Sequence, residues 1–290
     1  MIPQSFEYHV PKTLAEASRL VSQFGADGKI LAGGHSLIPM MKLRLTSPKH
    51  LIDLGRIAEL SYIREDNGKI QIGALTTYHK IESSELLKTK CPLLPETASA
   101  IGDVQVRNKG TIGGSLAHSD PAGDFPAAAL ALDAEIQAVG ARGERWIPVN
   151  GFFVNLLQTA LEPDEILTAV RVPSLPARGG DAYLKLHQPA SGFAIVGVAV
   201  RLVLDEKGTV QQASVGITGV GSKAYRALAV ENVLRGKTSG AKRLEEAAAH
   251  AADGIEVNAD LSASSEYRTH LAQVYTRRAL EKALERATGK

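Results

Sequence analysis

Two stretches of the chain pair glycines where backbone chemistry is possible. Lys29–Arg44, KILAGGHSLIPMMKLR, runs from a short apolar strand through Gly33 and Gly34 and a His-Ser pair into an apolar segment. Glycines between a strand and a helix let the backbone turn tightly with no Cβ in the way, so that amide N–H groups approach an anion. A phosphate or pyrophosphate is the anion this suits, although an ordinary strand–helix turn explains the stretch equally well by itself. Thr111–Ser115, TIGGS, breaks the tie with a second pair, Gly113 and Gly114, after a short extended run. Two such turns in one compact chain can clamp a diphosphate from both sides.

The side chains beside these turns suit binding better than turnover. His35 can bond a phosphate, pack near a cofactor ring, or sit as a polar loop residue, and a role for its backbone is the favoured reading. Ser36 offers a hydroxyl and an N–H at a helix start, for an anion or a plain N-cap. Lys42 and Arg44 read as a solvated face. After TIGGS comes LAHSDPAGDFP, where Asp120 and Asp124 can accept hydrogen bonds from ribose hydroxyls or a flavin ring N–H, or simply cap helices. His118, Asp120 and Asp124 lack the further ligands a metal site needs. The chain has no Gly-x-Ser-x-Gly elbow, no His-Glu-x-x-His and no Walker lysine loop. AGGHSL does not match G-x-G-x-x-G, so a dinucleotide would need a different loop geometry from the Rossmann one.

The elements that must carry these turns follow from periodicity. Phe6–His9 reads as a strand and Thr13–Phe24 as a helix, with Thr13 and Glu16 forming a capping box. Lys29–Ala32 and His50–Leu54 then read as parallel strands, closing a small strand–helix–strand unit near residue 55. Asn67-Gly68 between alternating runs signals a hairpin. Helices are expected over Thr76–Leu87, Leu93–Ile101 and Asp124–Asp133, an extended run at Val104–Val106, and a short helix at Gly151–Leu157. Ala134–Val139, Arg145–Val149 and Glu165–Val172 read as strands. Prolines and glycines crowd Pro173–Asp181 and mark a boundary. Beyond it, strands at Ala182–His187, Ala194–Leu204 and Thr209–Thr218 precede helices at Ala224–Leu234, Gly240–Asp253 and Ser265–Ala287, an α+β order.

Composition narrows the partners. Lys+Arg 33 against Asp+Glu 31 leaves a formal charge of +2, too balanced for nucleic acid as the main partner. No window has the unbroken apolar length of a transmembrane segment. MIPQSFEYHV lacks the charged-then-apolar pattern of a signal peptide, so a cytoplasmic location is expected. One cysteine, Cys91, excludes an internal disulfide and any iron–sulfur cluster held by this chain alone. In its apolar surroundings Cys91 reads as a buried filler.

Taken together, AGGHSLIPMMKLR and TIGGSLAHSDPAGDFP resemble the FAD-binding medium subunits of the molybdenum hydroxylases, nearest to the aerobic carbon monoxide dehydrogenase branch. QVRNKGTIGGSLAH, GFFVNLLQTALEPDEIL and the strand Ala182–His187 follow in the family's order, so the resemblance extends over nearly the whole chain. It implies an α+β protein with the FAD-binding fold of the vanillyl-alcohol oxidase type. Two small α/β subdomains, 1–56 and 57–176, would precede an antiparallel-sheet and helix domain, 177–290.

The resemblance also implies a site. Ala32, Gly33, Gly34, His35 and Ser36, with Thr111, Ile112, Gly113, Gly114 and Ser115, would hold the pyrophosphate of FAD, mainly through backbone N–H groups. Ile30, Leu31 and Leu37 would flank the cofactor. Asp124, Leu167, Lys185 and Ile101 match further family contacts. It implies no catalytic acid, base or nucleophile here, and no metal. It implies as partners a large molybdenum-cofactor subunit and a small iron–sulfur subunit, in a dimer of heterotrimers. Electrons would pass from the clusters through FAD to an external acceptor. The chain departs from the family at HQPASGF, where many relatives carry paired arginines. Phe193 there either covers a flavin face or packs in the core. A self-sufficient FAD-dependent oxidoreductase and a non-catalytic dinucleotide-binding scaffold are the alternatives.

Overall fold

The computed structural model describes residues 2–289. The first elements are β1 (Glu7–His9), α1 (Leu14–Phe24), β2 (Gly28–Leu31), α2 (Leu37–Lys42) and β3 (His50–Asp53). The three strands form a parallel sheet in the order β1-β3-β2. Thr13 caps α1 as expected, its hydroxyl accepting from the Glu16 N–H, but the reciprocal bond is shifted by one residue: a Glu16 carboxylate oxygen accepts from the Lys12 N–H at 2.9 Å, not from that of the N-cap Thr13. Ala17 and Val21 of α1 bury themselves against Ile52, and this small core orients the C-terminal end of β2.

Next come β4 (Ile63–Asp66), β5 (Lys69–Gly73), α3 (Tyr78–Ser83), α4 (Glu85–Lys90), α5 (Leu93–Ser99), α6 (Val104–Lys109), α7 (Ile112–His118) and α8 (Asp124–Ala131). They are followed by β6 (Glu135–Gly140), β7 (Gly143–Pro148), β8 (Phe153–Asn155), β9 (Gln158–Thr159) and β10 (Ile166–Pro173). Five strands make an antiparallel sheet, β4-β5-β10-β6-β7. Its first hairpin turns at Asn67 and Gly68, both with positive φ, which matches the right-handed twist of the paired strands.

Three expectations fail here for local reasons. Val104–Val106 is helical, because the Asp103 carboxylate accepts from the Val106 N–H at 2.9 Å and caps α6. The second glycine pair therefore follows a helix, and it lies inside the first turn of α7 rather than in a loop. Thr76–Leu87 splits into α3 and α4 at Ser84, whose hydroxyl caps the second helix. Gly151–Leu157 is not a helix but the β8–β9 hairpin: the Asn155 side chain accepts from the Leu156 N–H at 2.8 Å, and Leu157 takes φ 53°. Val154, Leu156 and Leu157 stay exposed, so the stretch has no single buried face for a helix to offer.

The remainder is β11 (Gly179–His187), β12 (Ala194–Leu204), β13 (Val210–Thr218), β14 (Tyr225–Arg226), α9 (Leu228–Leu234), α10 (Ala241–Ala248) and α11 (Ser265–Thr288). The four strands form an antiparallel sheet in sequence order. Strand β14 takes the start of the stretch expected as helix from Ala224. Every residue of β12 is buried, because α11 covers one face of the sheet and α8 the other. Two glycines permit this. A Cβ on Gly180 would lie 1.9 Å from the Ala283 carbonyl oxygen, and one on Gly216 would lie 2.1 Å from that of Ala127. Arg201, inside the same layer, is neutralised by Asp181 through two 2.8 Å hydrogen bonds. The α+β class is as expected.

Candidate functional site

Strand β2 ends at Leu31, and the chain then turns through Ala32–Ser36 into α2. Gly34 has φ +77°, a conformation that favours glycine. Gly33 is required for a different reason. A Cβ there would sit 2.4 Å from the Lys109 carbonyl oxygen and 2.8 Å from the Gly110 Cα. Gly33 thus lies flat against the peptide that leads into Thr111, and the two glycine motifs touch.

The amides of the two turns are employed differently. Among the hydrogen bonds of the described residues, none is donated by the backbone N–H of Ala32, Gly33, Gly34, His35, Ser36 or Leu37. In the second motif nearly all are committed. Ile112 donates to the Thr76 carbonyl at 3.1 Å, Gly113 to Ala74 at 2.9 Å, and Ser115 to Thr111 at 3.0 Å. Gly114 donates to the Thr111 hydroxyl at 3.2 Å, which makes Thr111 the N-cap of α7. A Cβ on Gly113 would meet that of Ala74 at 2.5 Å, so this glycine serves close packing of α7 on the segment after β5. Expecting both motifs to offer their N–H groups to one diphosphate was therefore half misplaced: the first turn has donors to give, the second mainly shape and the Ser115 hydroxyl.

Between them opens a cavity of about 610 Å³. Its walls include Ile30, Leu31, Ala32, Gly33, Gly34, His35, Ser36 and Leu37 on one side, and Thr111, Gly113, Gly114 and Ser115 on another. Ile101, Asp124 and Leu167 complete the expected lining, and Ser191, Gly192 and Phe193 close over it from the third sheet's side. Phe193 is about half exposed at this wall, so it is not a core residue. Two expected residues lie elsewhere. Ile112 is buried in the core of the middle region. Lys185 lines a neighbouring cavity of about 320 Å³ and reaches Asp124 from behind.

Asp124 is the charged centre of this wall. It is 5 % exposed at the first residue of α8, and its Oδ1 accepts from the Tyr183 hydroxyl at 2.5 Å. The Lys185 Nζ lies 2.8 Å from Oδ1 and donates also to the Ala100 carbonyl at 3.0 Å. Burial pushes the Asp124 carboxyl above the ordinary carboxylate value, while Lys185 and Tyr183 pull it back. Burial, and then the Asp124 charge, raise the Tyr183 phenol well above its usual value. Asp120, by contrast, caps its own turn, accepting from the Ala122 N–H at 2.8 Å. Burial lowers the neighbouring His118 imidazole.

Sequence reasoning missed Tyr78 and Tyr183. Tyr183 carried a signal, because it lies two residues before Lys185 and must share its face of β11. Tyr78 carried none; it packs at Gly110, where a Cβ would meet its ring at 2.4 Å, and burial pushes its phenol up to about 12.

Residues 4–175 match the family model described as the FAD binding domain in molybdopterin dehydrogenase, and residues 181–283 match the carbon monoxide dehydrogenase flavoprotein C-terminal domain. The chain belongs to the FAD-binding medium subunits of the molybdenum hydroxylases. It is 43% identical over 288 residues to the carbon monoxide dehydrogenase medium chain of Hydrogenophaga pseudoflava, covering 99% of both chains. It is 38% identical over 287 residues to subunit alpha of the 6-hydroxypseudooxynicotine dehydrogenase complex of Paenarthrobacter nicotinovorans, covering 99% of this chain and 97% of that one. Among solved structures it matches carbon monoxide dehydrogenase from Hydrogenophaga pseudoflava lacking the Mo-pyranopterin moiety, with a TM-score of 0.96, 43% identity and 99% coverage of each chain.

As a medium subunit of this family the chain is an oxidoreductase component that binds FAD. The cavity suits that cofactor physically. It falls within the roughly 300–1,000 Å³ of small-molecule and cofactor sites. The residues whose backbone donors are uncommitted line one wall of it, which suits a diphosphate. Leu54, Ile101, Leu167 and Phe193 supply apolar surface for rings. No helix among the described residues is long and apolar enough to cross a membrane.

Proposed function

We propose that this chain is the electron-exit subunit of a molybdenum hydroxylase of the carbon monoxide dehydrogenase type. It would seat FAD between iron–sulfur clusters of a small partner subunit and an external acceptor, while a large molybdenum-cofactor subunit oxidises the substrate. When bound, FAD supplies a centre that takes up single electrons and gives up pairs. The chain's own residues bind, orient and shield. The amides from Ala32 to Leu37 hold the diphosphate, Ser115 adds its hydroxyl, and Ile30, Leu31 and Leu37 line the wall beside it. Gly113 and Gly114 let α7 approach. Ile101, Leu167 and Phe193 exclude water from the rings. Asp124 accepts a hydrogen bond from the cofactor, with Lys185 keeping it ionised and Tyr183 fixing its orientation. No residue of the cavity is set up as nucleophile or general base toward a substrate.

The observation that carries this reading is the run of six adjacent amides without acceptors on a cavity wall, pressed by Gly33 against the second motif. Residues 1–56 and 57–176 would form the two FAD-binding subdomains and 177–290 the third, assembled with both partners as a dimer of heterotrimers in the cytoplasm. The test is to purify the chain co-expressed with its large and small subunits and add CO anaerobically. Bleaching of the flavin absorbance after that of the clusters is expected. Reduced clusters beside a flavin that stays oxidised, or substrate turnover by this chain alone, would overturn it.

A further inference from the structure

At the end of the first sheet away from the first glycine turn, Glu7, His9 and His50 bring three metal-ligating atoms together. Glu7 and His9 are two apart on β1 and project from one face, and the parallel register sets His50 opposite Glu7. The His9 Nε2 lies 3.2 Å from the His50 Nδ1. The Glu7 Oε2 lies 3.8 Å from the first and 3.3 Å from the second. A triangle with these sides has a centre about 2.0 Å from each corner, which is the length of Zn–N and Zn–O bonds, roughly 2.0–2.2 Å. The Phe24 ring stacks on His50 at 3.7 Å and 8° and lies 4.8 Å from the His9 ring, so both imidazoles are held in place. The two histidines are mostly buried, while Glu7 is 72% exposed and leaves one side of the triangle to solvent.

We propose that Glu7, His9 and His50 form a binding site for a divalent transition-metal ion of the zinc class, completed by water on the open side. Two imidazoles and one carboxylate are zinc donors, whereas magnesium and calcium take oxygen ligands. The ion ties β1 to β3, the central strand of the sheet whose third member, β2, delivers the first glycine turn. Its role is to stiffen that sheet, with no part in electron transfer. Without an ion, the same atoms form an imidazole–imidazole hydrogen bond with Glu7 alongside.

The full chain, freed of metal by a chelator, is titrated with Co²⁺. One equivalent should give the visible d–d band of a four-coordinate site, and Zn²⁺ should displace it. His9→Gln and His50→Gln should each lose the band, and His250→Gln, an exposed histidine beside Asp253, should keep it. FAD content reports whether each variant is folded. Because His50 also packs on Phe24, Glu7→Gln provides the variant least able to disturb the fold. It should need more Co²⁺ for the same band and should lose most of the rise in Tm that Zn²⁺ gives the parent chain. A parent chain with no band, or a band that survives both histidine substitutions, overturns the site.

Discussion

Gly33 has no room for a side chain, and the reason is its neighbour in the second motif. Even a methyl group would press on the Lys109 carbonyl oxygen and push the two turns apart. Gly33→Ala should therefore weaken FAD binding about tenfold or more, or about 1.4 kcal/mol, measured by fluorescence titration of the apoprotein. Gly114→Ala meets only its own N-cap hydroxyl and the Ala32 methyl at 3.8 Å, and should cost less. Asp124 gives a second prediction at this scale. Lys185→Met strands a buried carboxylate, which costs roughly 3–5 kcal/mol. Adding Asp124→Asn should recover most of that loss in urea denaturation, because the unpaired charge is then gone. The glycine pairs were legible in the sequence because only backbone geometry was at stake. The commitment of the second motif's amides was only partly so: Thr111 caps Gly114 locally, whereas the Thr76 and Ala74 carbonyls, which accept from Ile112 and Gly113, are placed by packing and not by any local motif.

Elements were legible where pattern and capping agreed. The β4–β5 hairpin and the α1 N-cap follow from Asn67-Gly68 and from Thr13. Val104–Val106 was misread because two valines suggested a strand, while Asp103 and the following Gly110 delimit a helix. GFFVNLL was misread because its apolar content concealed a turn at Asn155–Leu157. The second sheet owes part of its register to an ion network that sequence order does not reveal. Arg171 of β10 faces Glu135 of β6 and forms two hydrogen bonds with it, at 2.7 and 2.8 Å. Lys69 of β5 adds a third at 2.7 Å, and Trp146 lies under the Arg171 guanidinium at 4.0 Å. The Arg171 hydrogen bonds hold the Glu135 carboxyl down at about 2, against an ordinary value of 4.5. A carboxyl depressed on folding stabilises above its unfolded pKa, and that contribution disappears as pH falls through the folded one. The Tm gap between the parent chain and Glu135→Gln should accordingly be full at neutral pH and shrink between about 4.5 and about 2. A gap unchanged across that window would remove the network from the stability of the sheet.

At the scale of the molecule, the cavity exists because the two family-matched regions are packed as one. Strands and helices from both sides of the Pro173–Asp181 stretch wall it, with Asp124 on α8 paired to Lys185 on β11. Gly219 donates to the Pro121 carbonyl at 2.7 Å, and Thr218 donates its hydroxyl to the same oxygen at 2.7 Å. These two long-range bonds fix the position of the segment between α7 and α8, and neither could be read from spacing. The α+β order was legible, whereas the meeting of Gly33 with Gly110 depends on the whole chain. The central claim is that this meeting creates a diphosphate seat from the amides of Ala32 to Leu37. A crystal structure of the FAD-loaded subunit tests it most directly. The account predicts the diphosphate oxygens within hydrogen-bonding distance of those amides, with the rings beneath Phe193. A diphosphate bound elsewhere, with the same amides facing only water, would contradict it.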